Sequence, residues 1–263
     1  MVINHTKKTT GALRLILSLL LAAITLFMVV PVSAHAPEGA GDPPKAEIEP
    51  IQIYDKKGNL LTISIDDVAA IHGDKCACVV GAFRVTQAAI NVLYGKDEAP
   101  KQGNLTLVYH HPGIGHKQVF EHILTPECVV YEKMGNPQHM TMDHWVYKFT
   151  RTDTGNVFET QIKEGIISKD FFALRYEVDG FEKGWHKDKP TEQEKSGFAV
   201  AYTETLANLL TLPVWELYTG VEQPEESEEP APVAAIIFCG ALIILIVLGF
   251  IYSARVKRSW GKN

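Results

Sequence analysis

Along this chain, apolar positions recur with a period of two in some stretches and of three to four in others, and the alternation predicts the elements. Ile51–Tyr54 and residues 60–65 read as strands around a Lys57-Gly58-Asn59 turn. Asp66 or Asp67 is placed to cap a short helical turn leading to His72. Residues 79–94 carry Val79, Val80, Phe83, Ala89, Ile90 and Leu93 near helical spacing, with Gly95 suited to the C-cap. A strand over 104–109, a helix over 116–124 stopped near Pro126 and a strand over Val129–Tyr131 follow. Residues 145–150 and 157–162 alternate cleanly on either side of Thr-Asp-Thr-Gly-Asn and predict a hairpin. Helices over 170–176 and 191–212 complete the pattern, the second ended by Pro213. Helices mixed with antiparallel hairpins predict an α+β domain, not a doubly wound sheet.

Two long, charge-free and mostly apolar runs do not fit inside such a domain. The first, 15–30, follows Lys7, Lys8 and Arg14 and precedes small residues at Ser33, Ala34 and Ala36. That order predicts a signal segment over 1–34, cleaved after Ala34 or retained as an anchor. The second predicts a single transmembrane helix over 233–253, since a helix of that length rises about 30 Å. Arg255, Lys257, Arg258 and Lys262 lie in the following 254–263 tail, which places it on the cytoplasmic side and the main domain outside. Between the runs the order is a Pro/Gly/Ala-rich leader over 35–46, one domain over 47–220 and an acidic Pro/Glu linker over 221–232.

The charge changes the picture once it is divided this way. The whole chain has a formal net charge of −6, but residues 35–232 hold 18 Lys and Arg against all 31 Asp and Glu, a net −13. A domain so acidic is not built for nucleic acid or for anionic lipid headgroups. The expected partners are the membrane that receives the C-terminal span and a membrane or redox protein.

Candidate chemistry concentrates in Ile-His-Gly-Asp-Lys-Cys-Ala-Cys over residues 71–78, directly before an apolar helical pattern. Imidazole, carboxylate and thiolate are the donors that hold transition metals, and a helix start stabilises a thiolate. His72 and Cys76 are the expected primary ligands, with Asp74 and Cys78 as secondary ones. Further ligands are expected from His110-His111-Pro-Gly-Ile-Gly-His116, a Gly-containing loop beyond a strand end. Mixed nitrogen and sulfur donors favour zinc, and copper or nickel accept the same set. Arg84, two helical turns beyond Cys76, is a candidate to steady a thiolate or bind an anion. Two other readings use the same residues. Cys76 is the reactive thiolate of a thiol or redox enzyme with His72 as its base, or Cys128 bridges to Cys76 or Cys78 in a structural or docking ectodomain.

His72-Gly73-Asp74-Lys75-Cys76 and Gly81-Ala82-Phe83-Arg84 resemble the signature of the FmdE-like formylmethanofuran dehydrogenase family, which runs His-Gly-His-x-Cys-Pro-Gly before a helix containing Gly-x-Arg. The hairpin 146–162, with Thr154-Gly155, resembles a further segment of these proteins, and the likeness spans about residues 60–180. The resemblance implies an α+β core in which His72 and Cys76 approach one another at a metal or active site, with Arg84 matching the signature arginine. It also implies a link to one-carbon metabolism. Asp74 stands where the signature has its second His, Ala77 where it has Pro and Cys78 where it has Gly. The paired Cys-x-x-Cys finger that some members add has no counterpart in this sequence.

Overall fold

The structure, a computed structural model, describes residues 36–95 and 98–224. The 1–34 segment, the linker from 225 on, the 233–253 run and the 254–263 tail lie outside the described residues. Among the described residues, one helix is long and apolar enough to cross a membrane. It is 77–94, and it is largely buried by the rest of the fold, as the core helix of a domain would be.

Strands β1 (Ile51–Tyr54) and β2 (Leu60–Ile63) form an antiparallel ribbon with Ile51 opposite Ile63. Helix α1 (Ile65–His72) starts from Ser64, not from an Asp. The Ser64 hydroxyl accepts the Asp67 N–H, and the Asp67 carboxylate accepts the Ser64 N–H, a reciprocal box that satisfies two helix-end donors. Gly73, at φ 93°, ends α1 in the left-handed conformation that glycine adopts without a Cβ clash.

The central helix α2 (Ala77–Tyr94) is buried over most of its surface. Then come β3 (Leu105–Tyr109), α3 (Ile114–Leu124), β4 (Val129–Tyr131), β5 (Val146–Arg151) and β6 (Val157–Gln161). The sheet order is β4-β3-β5-β6. Its hairpin β5–β6 is antiparallel as expected; β3 is antiparallel to β5 and parallel to β4, to which α3 joins it as a crossover. A sequence of two short strands around one helix does not itself distinguish a crossover from a hairpin; the parallel pairing needs the intervening helix to pack back on the sheet. Phe120 of α3 does so, meeting Tyr109, Tyr147 and Phe149 edge-on. Gly81 lets Trp145 press against α2: a Cβ there would lie 2.5 Å from the indole.

Helices α4 (Phe171–Glu182), α5 (Glu192–Thr211) and the short α6 (Val214–Leu217) close the fold. Helix α4 runs six residues past its expected end. Asp179-Gly180 has the composition of a turn, but Gly180 stays helical and admits the following loop, where a Cβ would lie 3.3 Å from that of His186. The leader has no regular structure in its described part and is laid on α5, with the Gly41 N–H donating to the Thr203 hydroxyl at 3.2 Å.

Candidate metal centre

Two helix starts face each other across the site. At the start of α2, Cys76 is the N-cap and Cys78 is the second helical residue, so the helix begins two residues earlier than its apolar pattern suggests. At the start of α3, Gly113 is the N-cap and His116 is the third helical residue, while His111 lies just beyond the end of β3. Gly115 permits the approach, since a Cβ there would touch Cys78 Cβ and Val79 Cγ2 at 3.2 Å. Gly113 faces the cluster: a Cβ would lie 2.7 Å from His111 Cε1, 2.9 Å from His111 Nδ1 and 3.2 Å from Cys78 Sγ.

Cys78, His111 and His116 thereby form a group that could hold a metal ion. One ligand atom from each lies within 4.8 Å of the other two. Zinc bonds of about 2.3 Å to sulfur and 2.0–2.1 Å to nitrogen place such atoms within reach after a small side-chain rotation. The two rings stack at 3.6 Å, and both are buried, His111 at 1% and His116 at 0% exposure. Nδ1 of His116 has no hydrogen-bond partner, the condition a metal ligand would have before its ion is added; Nε2 of His111 is also unpartnered, but it carries the proton of the neutral ring while Nδ1 accepts the Gly113 N–H, so ligation through Nε2 would require that proton to move to Nδ1 and that contact to open. The remaining nitrogens are fixed. His111 Nδ1 accepts the Gly113 N–H at 3.0 Å, and His116 Nε2 shares a 2.8 Å hydrogen bond with the Tyr147 hydroxyl.

The electrostatics put these groups in the forms a metal requires. Burial lowers the pKa of His111 well below the usual value and that of His116 to about 3, so both imidazoles are neutral at pH 7. The Cys78 thiol is pulled below its usual range by a hydrogen bond with Cys76, then by the charges of Arg175 and Lys183, against the opposing effect of burial. Cys76 is pushed the other way by Cys78 and by its own burial. Between the two sulfurs, ionisation is therefore favoured at Cys78 over Cys76. The Cys76 sulfur is buried, whereas Cys78 is half-buried, and both line a cavity of about 420 Å³.

His72 and Cys76 do converge. They share a hydrogen bond that, with a second one to Gln118, raises the His72 pKa. His72 Nδ1 lies 2.6 Å from Gln118 Oε1. Both residues line the same cavity as Cys78, and neither belongs to the three-residue metal group. Asp74 sits on the preceding loop, outside that group, and engages its neighbours there. His110 is turned away, with Nδ1 on the Glu132 carbonyl at 2.9 Å.

Arg84 lies elsewhere. It donates to Gln87 Oε1 at 2.9 Å and to the Leu212 carbonyl, beside a different cavity. Eight residues of helix carry it about 12 Å along the axis from Cys76, beyond contact with that sulfur. Cys76, Cys78 and Cys128 are all unbridged, so the expected bridge from Cys128 is not formed; the Thr125 hydroxyl donates to the Cys128 sulfur at 3.6 Å instead.

The sequence pattern did not single out Tyr147, Arg175 or Lys183. Tyr147 lies on the inward face of β5, where alternation marks it as core. Arg175 and Lys183 are eight apart, a helical spacing that falls on one face only if α4 continues past residue 176. No protein-family model, curated protein or solved structure matches the chain.

Proposed function

We propose that this chain is a membrane-anchored metalloprotein whose exterior domain binds one transition metal ion, zinc by first choice, through Cys78, His111 and His116. The observation that carries the reading is the pair of buried, neutral, stacked imidazoles, each with an unpartnered nitrogen, beside a sulfur whose pKa is lowered by its surroundings. A buried polar atom left unpaired costs about 1–3 kcal/mol, a cost that coordination would offset. Mixed nitrogen and sulfur donors suit zinc, which takes four ligands, so three protein donors leave one position for an exogenous ligand. Tyr147 would orient His116 from behind, as outer partners of ligating histidines do.

The anchoring half of the proposal rests on the charge-free run at 233–253 and the basic residues after it. The likeness of residues 72–84 to the FmdE-like formylmethanofuran dehydrogenase family adds a role near one-carbon or redox metabolism. Elemental analysis of the purified full chain tests the metal site. About one zinc per chain is expected in the wild type and none in a His111→Ala, His116→Ala double variant that keeps its circular dichroism. Equal metal content in the two proteins rejects the site.

A further inference from the structure

Helix α4 presents one stripe to the cavity above Cys78. Phe171, Arg175 and Asp179 recur at four-residue spacing, and Lys183 caps the helix beyond them. The stripe is built to hold a cation in place. Arg175 Nε lies 3.7 Å from the Asp179 carboxylate, Lys183 Nζ lies 3.2 Å from the same group, and both cations lie over the Trp185 ring, at 5.7 and 5.2 Å from its centre. Arg175 is mostly buried, its side chain 15% exposed, and its Nη1 is buried with no hydrogen-bond partner. An unpartnered guanidinium N–H beside a cavity is a donor that an oxygen acceptor would satisfy.

Charge balance says what kind of oxygen. The charged side chains lining the cavity are Arg175 and Lys183 against Asp179, a net positive charge before any contribution from His72 or from a metal ion with its thiolate ligand. A divalent ion at Cys78 leaves two positive charges in a space walled largely by Phe171, Phe198, Tyr202 and Ile114. In such surroundings uncompensated charge is costly, and an anion is the natural complement. The apolar walls favour an organic body on that anion. The single free guanidinium nitrogen and the neighbouring Asp179 suit a monoanion better than a phosphate dianion, which needs more donors.

We propose that this cavity binds a small organic carboxylate, its head between the metal and Arg175 with Lys183 nearby, its apolar body against Phe171, Phe198 and Tyr202. The proposal rests on the metal reading for one of the two anchors of the carboxylate; Arg175 supplies the other independently.

Calorimetric titration of the zinc-loaded full chain with benzoate, benzyl alcohol and inorganic phosphate tests it. Benzoate should bind, with benzyl alcohol and phosphate each at least about tenfold weaker, the scale of one desolvated charge contact. Arg175→Gln should weaken benzoate by about tenfold or more with zinc content unchanged, and Lys183→Gln, on a more exposed side chain, by less. If Arg175→Gln fails to fold, weakening by Lys183→Gln carries the proposal and unchanged affinity overturns it. Benzyl alcohol binding as tightly as benzoate, phosphate binding more tightly, or no benzoate binding to the zinc-loaded wild type would each overturn it. Should the wild type hold no metal, the metal reading fails by itself. Benzoate binding to the metal-free chain then decides: dependence on Arg175 supports the carboxylate site, and its lack overturns it.

Discussion

The starts of α2 and α3 perform the same task by different means. At α2 the chemistry is contiguous: His72, Cys76 and Cys78 lie within seven residues, and the helix start itself presents the two sulfurs. At α3 it is assembled. His111 comes off the end of β3, His116 comes off the first turn of the helix, and the two rings stack at 3.6 Å only because the chain between them turns at Pro112-Gly113. In the group that could hold a metal ion, the first junction supplies the sulfur and the second supplies both nitrogens. Local clustering of metal-type residues thus pointed to this region, and of the expected ligands Cys78, His111 and His116 are the ones brought together. His72 and Cys76, the prominent local pair, end up bonded to each other beside the group that could hold the ion.

The sharpest way to break this comparison is to remove one sulfur at a time. Cys78→Ser should abolish stoichiometric zinc binding, a loss exceeding the roughly 10–100-fold that an outer partner contributes. Cys76→Ser should retain the metal with reduced affinity, since Cys76 acts through Cys78. Competition with a chromophoric chelator measures both, and the opposite ranking would return the site to His72 and Cys76. On the α3 side, Tyr147→Phe removes the hydrogen bond behind His116 and is expected to weaken zinc by about 10–100-fold. The sheet should be intact by circular dichroism, and unchanged affinity would detach Tyr147 from the site.

The smallest effect is on the stability of the metal-free protein. His111 and His116 have folded-state pKa values below those of the unfolded chain, so between the unfolded value of 6.5 and the folded value, about 3 for His116, the unfolded state binds more protons. Stability is full above pH 6.5 and falls as pH drops through that window. From pH 6.5 to 5 the loss from His116 should be on the order of 1–2 kcal/mol, since each pKa unit is worth about 1.4 kcal/mol, with His111 acting in the same direction. Denaturant midpoints at pH 7 and 5 read it. His116→Gln should flatten the slope, and added zinc should shift the whole curve upward; a slope unaltered by His116→Gln would mean that another group governs it.

Much of the second junction was legible on a stricter reading. Leu105, Leu107, Tyr109 and His111 continue one alternation in which each is buried, so the period of two already separates His111 from His110. His116, Phe120, Ile123 and Leu124 share the helical face that packs inward. Arg84 shows the opposite case. Its burial follows from a helix buried nearly all round, and its partners, Gln87 and the Leu212 carbonyl, follow from where α5 ends. No spacing along α2 encodes the second of these.

By itself the sequence determined the α+β class, the positions of the hairpins and helices, and the presence of sulfur and imidazole at one helix start, because periodicity, turn residues and capping act over a few neighbouring residues. Only the tertiary structure decided that β4 lies parallel to β3, that Cys78, His111 and His116 gather into one group that could hold a metal ion, and that Arg175 and Lys183 line the same cavity as Cys78 from α4. Those outcomes depend on burial and on charges brought together from distant parts of the chain, and the energy of a charge or a hydrogen bond is set by its surroundings in space rather than by its neighbours in sequence.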